Sequence, residues 1–213
     1  MSTPPRQRCP TTSEIRRVKI GCLYYEYDGA DPWKRDRQRT RSGMTMACLI
    51  EMAYLSGQDI SVMIRLRDRR DPMEPGEPHV MADGIFFRRD KTGNAVVIEW
   101  TPRLRAVVAR LIKIRAEWRL QRCAKDRVET SHLFRNQDGK PMTYSAASNA
   151  WQDGLKRSGV KRFMFRDIRA RALTDKEELE GIREANSMGT HTTEHPTADY
   201  VRNKKARKTK ATR

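Results

Sequence analysis

The sequence is most informative at first for what it lacks, which is any long apolar run. No stretch of the 213 residues approaches the roughly 20 consecutive apolar residues that a membrane-spanning helix needs. Residues 1–10 carry charge and proline but no apolar segment of the kind that forms the core of a signal peptide. We therefore expect a cytoplasmic protein that has no membrane partner.

Paired cysteines are also missing. The four cysteines, Cys9, Cys22, Cys48 and Cys123, form no C-x-x-C pair and have no zinc-ligand spacing. Cys48 and Cys123 lie within apolar helical patterns, which favours buried, reduced thiols over disulfide bridges. No cluster of Cys, His or carboxylate side chains has the spacing of a metal site. We expect neither a metal nor another cofactor.

Acidic residues are scarce relative to basic ones. Lys and Arg number 44 against 27 Asp and Glu, which gives a net charge of +17 at pH 7. Such an excess attracts polyanions and loses its effect as the salt concentration rises. Nucleic acid is therefore the leading class of partner. The charge alone does not exclude a ribosomal protein or a merely soluble basic protein.

The residues that are present predict a mostly helical domain. Hydrophobic residues make up 37% of the chain, enough for one core. Apolar residues recur at helical spacing, and capping residues such as Thr143 and breakers such as Gly57 mark the helix ends. Helices are predicted at residues 13–27, 44–56, 60–66, 102–123, 144–158, 165–180, 184–188 and 196–202.

Two β-branched and aromatic stretches, residues 84–88 and 95–100, predict strands on either side of a turn. They form a β-hairpin that carries Lys91 at its tip. Helix pairs with one small hairpin indicate an α+β fold that is predominantly helical. We divide the chain into a basic, partly disordered extension (1–35), one domain (36–203) and a basic tail (204–213).

Five segments follow one another along the chain: 53–61 (AYLSGQDIS), 84–93 (GIFFRRDKTG), 133–136 (LFRN) with 139–141 (GKP), 163–172 (FMFRDIRARA), and 189–191 (GTH) with 200–202 (YVR). In this order they resemble the catalytic domain of the tyrosine recombinases, the phage integrase family. The resemblance covers roughly residues 36–203. The step of nine residues from His191 to Tyr200 also matches the usual step of that family.

The resemblance implies a DNA strand cleaved and rejoined through a covalent 3'-phosphotyrosine. Tyr200 would be the nucleophile, because a tyrosine hydroxyl can attack a phosphodiester. Arg169 would clamp the phosphate, since a guanidinium donates two parallel hydrogen bonds to the developing negative charge. Lys91 would protonate the departing sugar hydroxyl, and His191 would donate a hydrogen bond to the phosphate.

Three positions depart from the family pattern. Asp59 stands where a first clamping arginine is expected, and its carboxylate would repel a phosphate. Val62 replaces an acid that supports the site in many relatives. Arg166 replaces the histidine of the H-x-x-R segment; it could donate to the phosphate, but its guanidinium stays protonated and makes a poor base. Catalysis that is slow, specialised or absent is compatible with this set.

Double-stranded DNA is the implied partner, and the resemblance implies a homo-oligomer, a tetramer on DNA. It also implies a bacterial or phage origin and a catalytic domain alone, because residues 1–35 are too short for the DNA-binding domain that usually precedes it. Phosphate contacts of this kind position a protein on DNA without specifying sequence. The candidate DNA-binding residues are Arg35, Arg37, Arg39, Arg41, Arg88, Arg89, Arg135, Arg171, Lys204 and Lys205.

Three functions remain open from the sequence. The first is a site-specific recombinase with a degenerate site. The second is a recombinase-like DNA-binding or regulatory module without catalysis. The third and weakest is a basic RNA-binding protein, for which the sequence offers no RRM, KH or zinc pattern.

Overall fold

The computed structural model describes residues 8–25, 39–88, 93–120, 130–136 and 138–189. Within these ranges the chain forms seven α-helices and one small sheet, which agrees with the predicted α+β class. The helices are α1 (Thr12–Leu23), α2 (Gly43–Ser56), α3 (Ile60–Met63), α4 (Pro102–Leu120), α5 (Tyr144–Ser158), α6 (Arg166–Glu180) and α7 (Ile182–Met188). The strands are β1 (His79–Val80), β2 (Gly84–Arg88) and β3 (Ala95–Glu99).

Local sequence signals set most helix ends. The Thr11 hydroxyl accepts a hydrogen bond from the Glu14 amide, and the Glu14 carboxylate accepts one from the Thr11 amide, which makes a capping box at the start of α1. Thr143 caps α5 through the Ala146 amide, as predicted. Gly57 ends α2 in the left-handed conformation, at φ 62°, where a residue with a side chain would be strained.

The sheet is antiparallel, in the order β1-β2-β3. Strands β2 and β3 form the predicted hairpin, with Phe86 opposite Val97. Ile85 and Phe87 of β2 are fully buried, so this strand fixes the sheet on the helices. The tip of the hairpin, including Lys91, lies outside the described residues.

Strand β1 was not predicted. It follows a loop rich in proline and is only two residues long. Its pairing with β2 joins Val80 to Ile85. Leu133 and Phe134 form no regular strand: both are buried and lie between isolated β-bridges at His132 and Arg135.

Helix α2 lies at the centre of the core. Its residues Met46, Cys48, Leu49 and Met52 are all fully buried. It packs against α1, α4, α5 and α6. A helix that is apolar on nearly every side is typical of a position surrounded by other elements, and α2 therefore sets the places of its neighbours.

Helix α1 belongs to the same core. Ile15, Val18 and Cys22 are buried in it, and α1 packs most extensively against α5. The domain boundary predicted at residue 36 therefore does not mark the edge of the hydrophobic core. Burial raises the pKa of the Cys22 thiol to about 12, which makes it a packing residue and not a reactive one.

The expected burial of Cys48 is confirmed, whereas Cys123 lies outside the described residues. Burial raises the pKa of the Cys48 thiol to about 11. Among the described helices, none combines the length and the apolarity required to cross a membrane.

Two glycines let α1 and α5 approach closely. A Cβ atom added at Gly154 would lie 2.2 Å from the Cys22 sulfur, and one added at Gly21 would lie 2.4 Å from the Gly154 carbonyl oxygen. We predict that Gly154→Ala lowers the free energy of unfolding by about 1–3 kcal/mol, because the added methyl group overpacks the crossing. Urea denaturation of the wild type and of Gly154→Ala measures this difference in the free energy of unfolding.

The control for this prediction is Asn149→Ala, at an exposed position of the same helix. Alanine is the strongest helix former, so this variant is expected to be at least as stable as the wild type. Equal stability of Gly154→Ala and Asn149→Ala would contradict the role assigned to the glycine contact.

Candidate functional site

The candidate site lies where the end of α2, the N-terminal half of α6 and the end of α7 meet. The left-handed turn at Gly57 brings the chain out of α2 and against α7 and α6. A Cβ atom at Gly57 would lie 3.2 Å from Met188 and 3.4 Å from Leu173, so the turn is also tightly packed. Gln58 and Asp59, which follow the turn, thereby face residues that lie more than a hundred positions later in the chain.

Arg169 is the central side chain of this site. It projects from α6 and is only 2% exposed. Its Nη2 donates a hydrogen bond of 2.7 Å to the carbonyl oxygen of Gly189, directly after α7. A buried guanidinium needs such partners, because removing a charge from water is costly unless it is paired. The guanidinium of Arg169, the predicted phosphate-clamping arginine, is thus held in place by a backbone carbonyl group.

Asp59 faces this guanidinium. Its Oδ2 lies 3.6 Å from Nη1 of Arg169, and its side chain is 41% exposed. Asp59 occupies the N-cap position of α3 but makes no side-chain capping bond there. The carboxylate therefore serves as a partially solvated counter-ion to Arg169.

Gln58 anchors the same region from the other side. Its Nε2 donates to the carbonyl oxygen of Met188 at 2.8 Å and to that of Ser56 at 3.3 Å. The side chain is 5% exposed. Sequence reasoning did not single out Gln58, because a glutamine after a helix carries no signal of its partner.

Arg171 was predicted to contact DNA, and the structure places it in an internal network. Its Nε donates to Asp175 at 3.0 Å, and the Tyr54 hydroxyl donates to the same carboxylate at 2.6 Å. Burial, together with the bond to Asp175, raises the pKa of Tyr54 to about 12. The spacing of four residues between Arg171 and Asp175 on one helix is a sequence signal for this pair.

The other predicted cations fall into two groups. Arg39, Arg41, Arg88 and Arg166 are exposed, the last of them in the first turn of α6. Arg135 is instead buried, and its Nε donates to the carbonyl oxygen of His132 at 2.7 Å. Arg135 thereby supports the loop that precedes α5.

The remaining predicted residues lie outside the described ranges and stay predictions. They are Lys91, His191, Tyr200, Arg35, Arg37, Arg89, Lys204 and Lys205. Within those ranges, no three His, Cys, Asp or Glu side chains converge so that they could hold a metal ion.

Comparison with protein-family models found no match, and comparison with curated protein sequences found no significant one. Solved structures do match. Lambda integrase residues 75–356, a dimer bound to a COC' core site, matches with a TM-score of 0.66 at 12% identity, over 100% of this chain and 65% of that chain. XerA recombinase matches with a TM-score of 0.61 at 12% identity, over 90% and 59%.

The lambda integrase catalytic core alone matches with a TM-score of 0.59 at 11% identity, over 85% of this chain and 90% of that chain. The chain spans less than two thirds of the longer integrase and of XerA. It therefore has the fold of a tyrosine recombinase catalytic domain, which confirms the predicted fold class.

The contacts of Arg169 predict a difference in stability between two arginines of α6. We expect Arg169→Met to lower the free energy of unfolding by about 1–3 kcal/mol, because the bond to Gly189 is lost inside the protein. Arg166→Met, at an exposed position one turn earlier, should change it by no more than about 0.5 kcal/mol. Urea denaturation of both variants tests this, and equal effects would contradict a structural role for Arg169.

Proposed function

We propose, on the basis of the tyrosine recombinase fold, that this chain binds double-stranded DNA and cleaves and rejoins one strand at a time through Tyr200. The observation that carries the proposal is the buried guanidinium of Arg169, fixed at the end of α7. The chain continues from that point towards His191 and Tyr200. The net charge of +17 supports a polyanionic partner.

The DNA complexes of the matched proteins support the same substrate. Lambda integrase is described as a dimer bound to a core site and as a tetramer bound to a Holliday junction. XerH recombinase is described in pre-cleavage and post-cleavage complexes with its difH substrate. By analogy we propose that several copies of this chain, four on a junction, assemble on DNA.

The proposed reaction conserves the number of phosphate ester bonds. The Tyr200 hydroxyl gives its proton to water as its oxygen attacks phosphorus and forms a new ester, while the bond from phosphorus to the 5' oxygen breaks. Lys91 gives a proton to that departing oxygen. The strand is rejoined when a 5' hydroxyl attacks the phosphotyrosine and Tyr200 leaves.

Asp59 weakens the phosphate grip in this proposal. A scissile phosphate approaching Arg169 meets a carboxylate 3.6 Å from the same guanidinium, so phosphate and Asp59 compete for it. The arginine expected at this position would instead have added a donor. Loss of one preorganised donor of this kind costs about 10²–10³-fold in rate. We therefore propose slow cleavage.

The exposed cations supply the general DNA contacts in this proposal. Arg39, Arg41, Arg88 and Arg166 are exposed and available to phosphates. Arg135 and Arg171 are engaged inside the protein, so their part in DNA binding would be indirect. Affinity from such contacts falls steeply with salt concentration.

A second candidate function is DNA binding without cleavage. The pairing of Asp59 with Arg169 favours it, because the guanidinium is already occupied by an anion. In that case DNA affinity depends on salt concentration but is unchanged by Tyr200→Phe.

A nicked suicide substrate separates the two functions. We expect the wild-type chain to form a covalent protein–DNA adduct that survives denaturing electrophoresis, because the nick lets the attacked strand diffuse away. Tyr200→Phe should abolish the adduct, since phenylalanine has no nucleophilic oxygen. Tyr144→Phe, which removes an exposed hydroxyl from α5, should leave it intact. The absence of any adduct from the wild type would contradict the recombinase proposal.

Restoring the family residues tests the cause of slow cleavage. The double variant Asp59→Arg with Arg166→His should form the adduct at least about 10²-fold faster, because it adds a phosphate donor and removes the competing carboxylate. Asp83→Asn is the control, since it changes the net charge by the same +1 at an exposed turn. A double variant that folds but cleaves no faster would show that these two positions do not limit the reaction.

A further inference from the structure

The carbonyl groups at the end of α7 are held by two side chains from other parts of the chain. Gln58 donates to Met188, the last residue of the helix, at 2.8 Å. Arg169 donates to Gly189, the next residue, at 2.7 Å. The last carbonyl groups of a helix have no partner within the helix, so donors from elsewhere satisfy them. The end of α7 is thereby fixed both to the segment that follows α2 and to α6.

The orientation of the Gln58 side chain is strongly determined. Both hydrogen bonds of Nε2 go to backbone carbonyl oxygens, those of Met188 and Ser56. If the amide were turned over, its oxygen would face two acceptors, so only one orientation is compatible with the site. The left-handed turn at Gly57 directs this side chain towards α7. Gln58 therefore connects its own segment of the backbone to the end of α7, which lies 130 positions later in the chain.

The location of this connection gives it a functional meaning. His191 lies two residues beyond Gly189, and Tyr200 lies eleven residues beyond it. The segment that carries both residues therefore starts at the point that Gln58 and Arg169 hold. Reactive groups must be placed to within about 1 Å for efficient attack, so the origin of the segment matters to the reaction.

We propose that Gln58 is a positioning residue, which fixes the end of α7 and thereby places His191 and Tyr200 relative to the phosphate held by Arg169. This inference rests on the proposed cleavage reaction. Gln58 itself touches neither the nucleophile nor the reacting phosphate in this assignment. Its effect passes through the Met188 carbonyl and the backbone that follows.

The first test uses hydrogen–deuterium exchange on the full chain without DNA. Gln58→Leu keeps a buried side chain of similar length but removes the amide donor. We expect amide exchange in the last turn of α7 and in peptides covering 189–202 to become about tenfold faster, as expected for the loss of one intramolecular hydrogen bond. The rest of the protein should exchange as in the wild type.

The matched control is Thr174→Val. Thr174 is fully buried in α6, and its hydroxyl donates to the Ala170 carbonyl oxygen within the same helix. The substitution removes one buried hydrogen bond whose donor and acceptor both belong to α6. It should leave exchange at the end of α7 unchanged. If both variants accelerate exchange there equally, the effect of Gln58 is general destabilisation and the proposal is wrong.

The second test measures cleavage. Gln58→Leu should slow formation of the covalent adduct about tenfold or more, while the affinity for uncleaved DNA in a Tyr200→Phe background stays within about twofold of its parent. An unchanged adduct rate, or a loss of affinity equal to the loss of rate, would overturn the positioning role.

Gln58→Glu distinguishes hydrogen-bond donation by residue 58 from a purely structural role. It also replaces the leucine variant if that variant does not fold. A carboxylate cannot donate to the Met188 carbonyl, whereas the protonated acid can. The adduct rate of this variant, divided by that of the wild type at each pH, should therefore rise as the pH falls. A ratio that does not change with pH would contradict donation by residue 58.

The two proposals fail in different ways. If the wild type forms no adduct under any condition, the proposed cleavage function is wrong, and the exchange experiment still decides whether Gln58 holds the end of α7. If the wild type forms the adduct and Gln58→Leu changes neither exchange nor rate, the cleavage function stands and the positioning role is wrong.

Discussion

The need to pair one buried charge determines the arrangement of the whole candidate site. Arg169 is 2% exposed, and an unpaired guanidinium in such a position would destabilise the fold by several kcal/mol, on the order of the cost of breaking a buried ion pair. Its partners are the Gly189 carbonyl oxygen and the Asp59 carboxylate. One partner follows α7 and the other precedes α3. Both segments must therefore lie against α6, and the left-handed turn at Gly57 lets the second of them do so.

The core makes this arrangement rigid. Gln58 and Asp59 directly follow α2, and this helix packs against α1, α4, α5 and α6. The contact of Gly21 with Gly154 draws α1 onto α5 and closes the far side of the same core. On α6, Asp175 binds Tyr54 of α2 one to two turns beyond Arg169. The two helices that form the site are thus joined both at the site and away from it, which prevents them from sliding past each other.

The parts predicted correctly from the sequence are those whose cause is local. Gly57 ends a helix through its own left-handed conformation, and Thr143 caps one through a hydrogen bond to a nearby amide. Their positions in the sequence therefore suffice to predict these helix ends. Strand β1 was missed because its pairing with β2, and not its own two residues, makes it a strand. Arg135 was predicted to bind DNA, yet its partner is a carbonyl group in its own loop. Which partner a charged side chain selects depends on tertiary packing, and composition does not reveal it.

Under the proposed function, the free state and the DNA-bound state place opposite demands on the residue at position 59. In the absence of DNA, an arginine at position 59 would put a second positive charge close to the buried guanidinium of Arg169, and the two would repel each other. Asp59 removes that repulsion and stabilises the empty site. When a phosphate is bound, the preference for the residue at position 59 reverses. An arginine there would attract the negative charge of the phosphate, whereas the carboxylate of Asp59 repels it. Substitutions that stabilise an empty charged site commonly reduce its activity. A carboxylate beside Arg169 therefore stabilises the folded protein with an empty site, and under the proposed function it does so at the expense of phosphate binding.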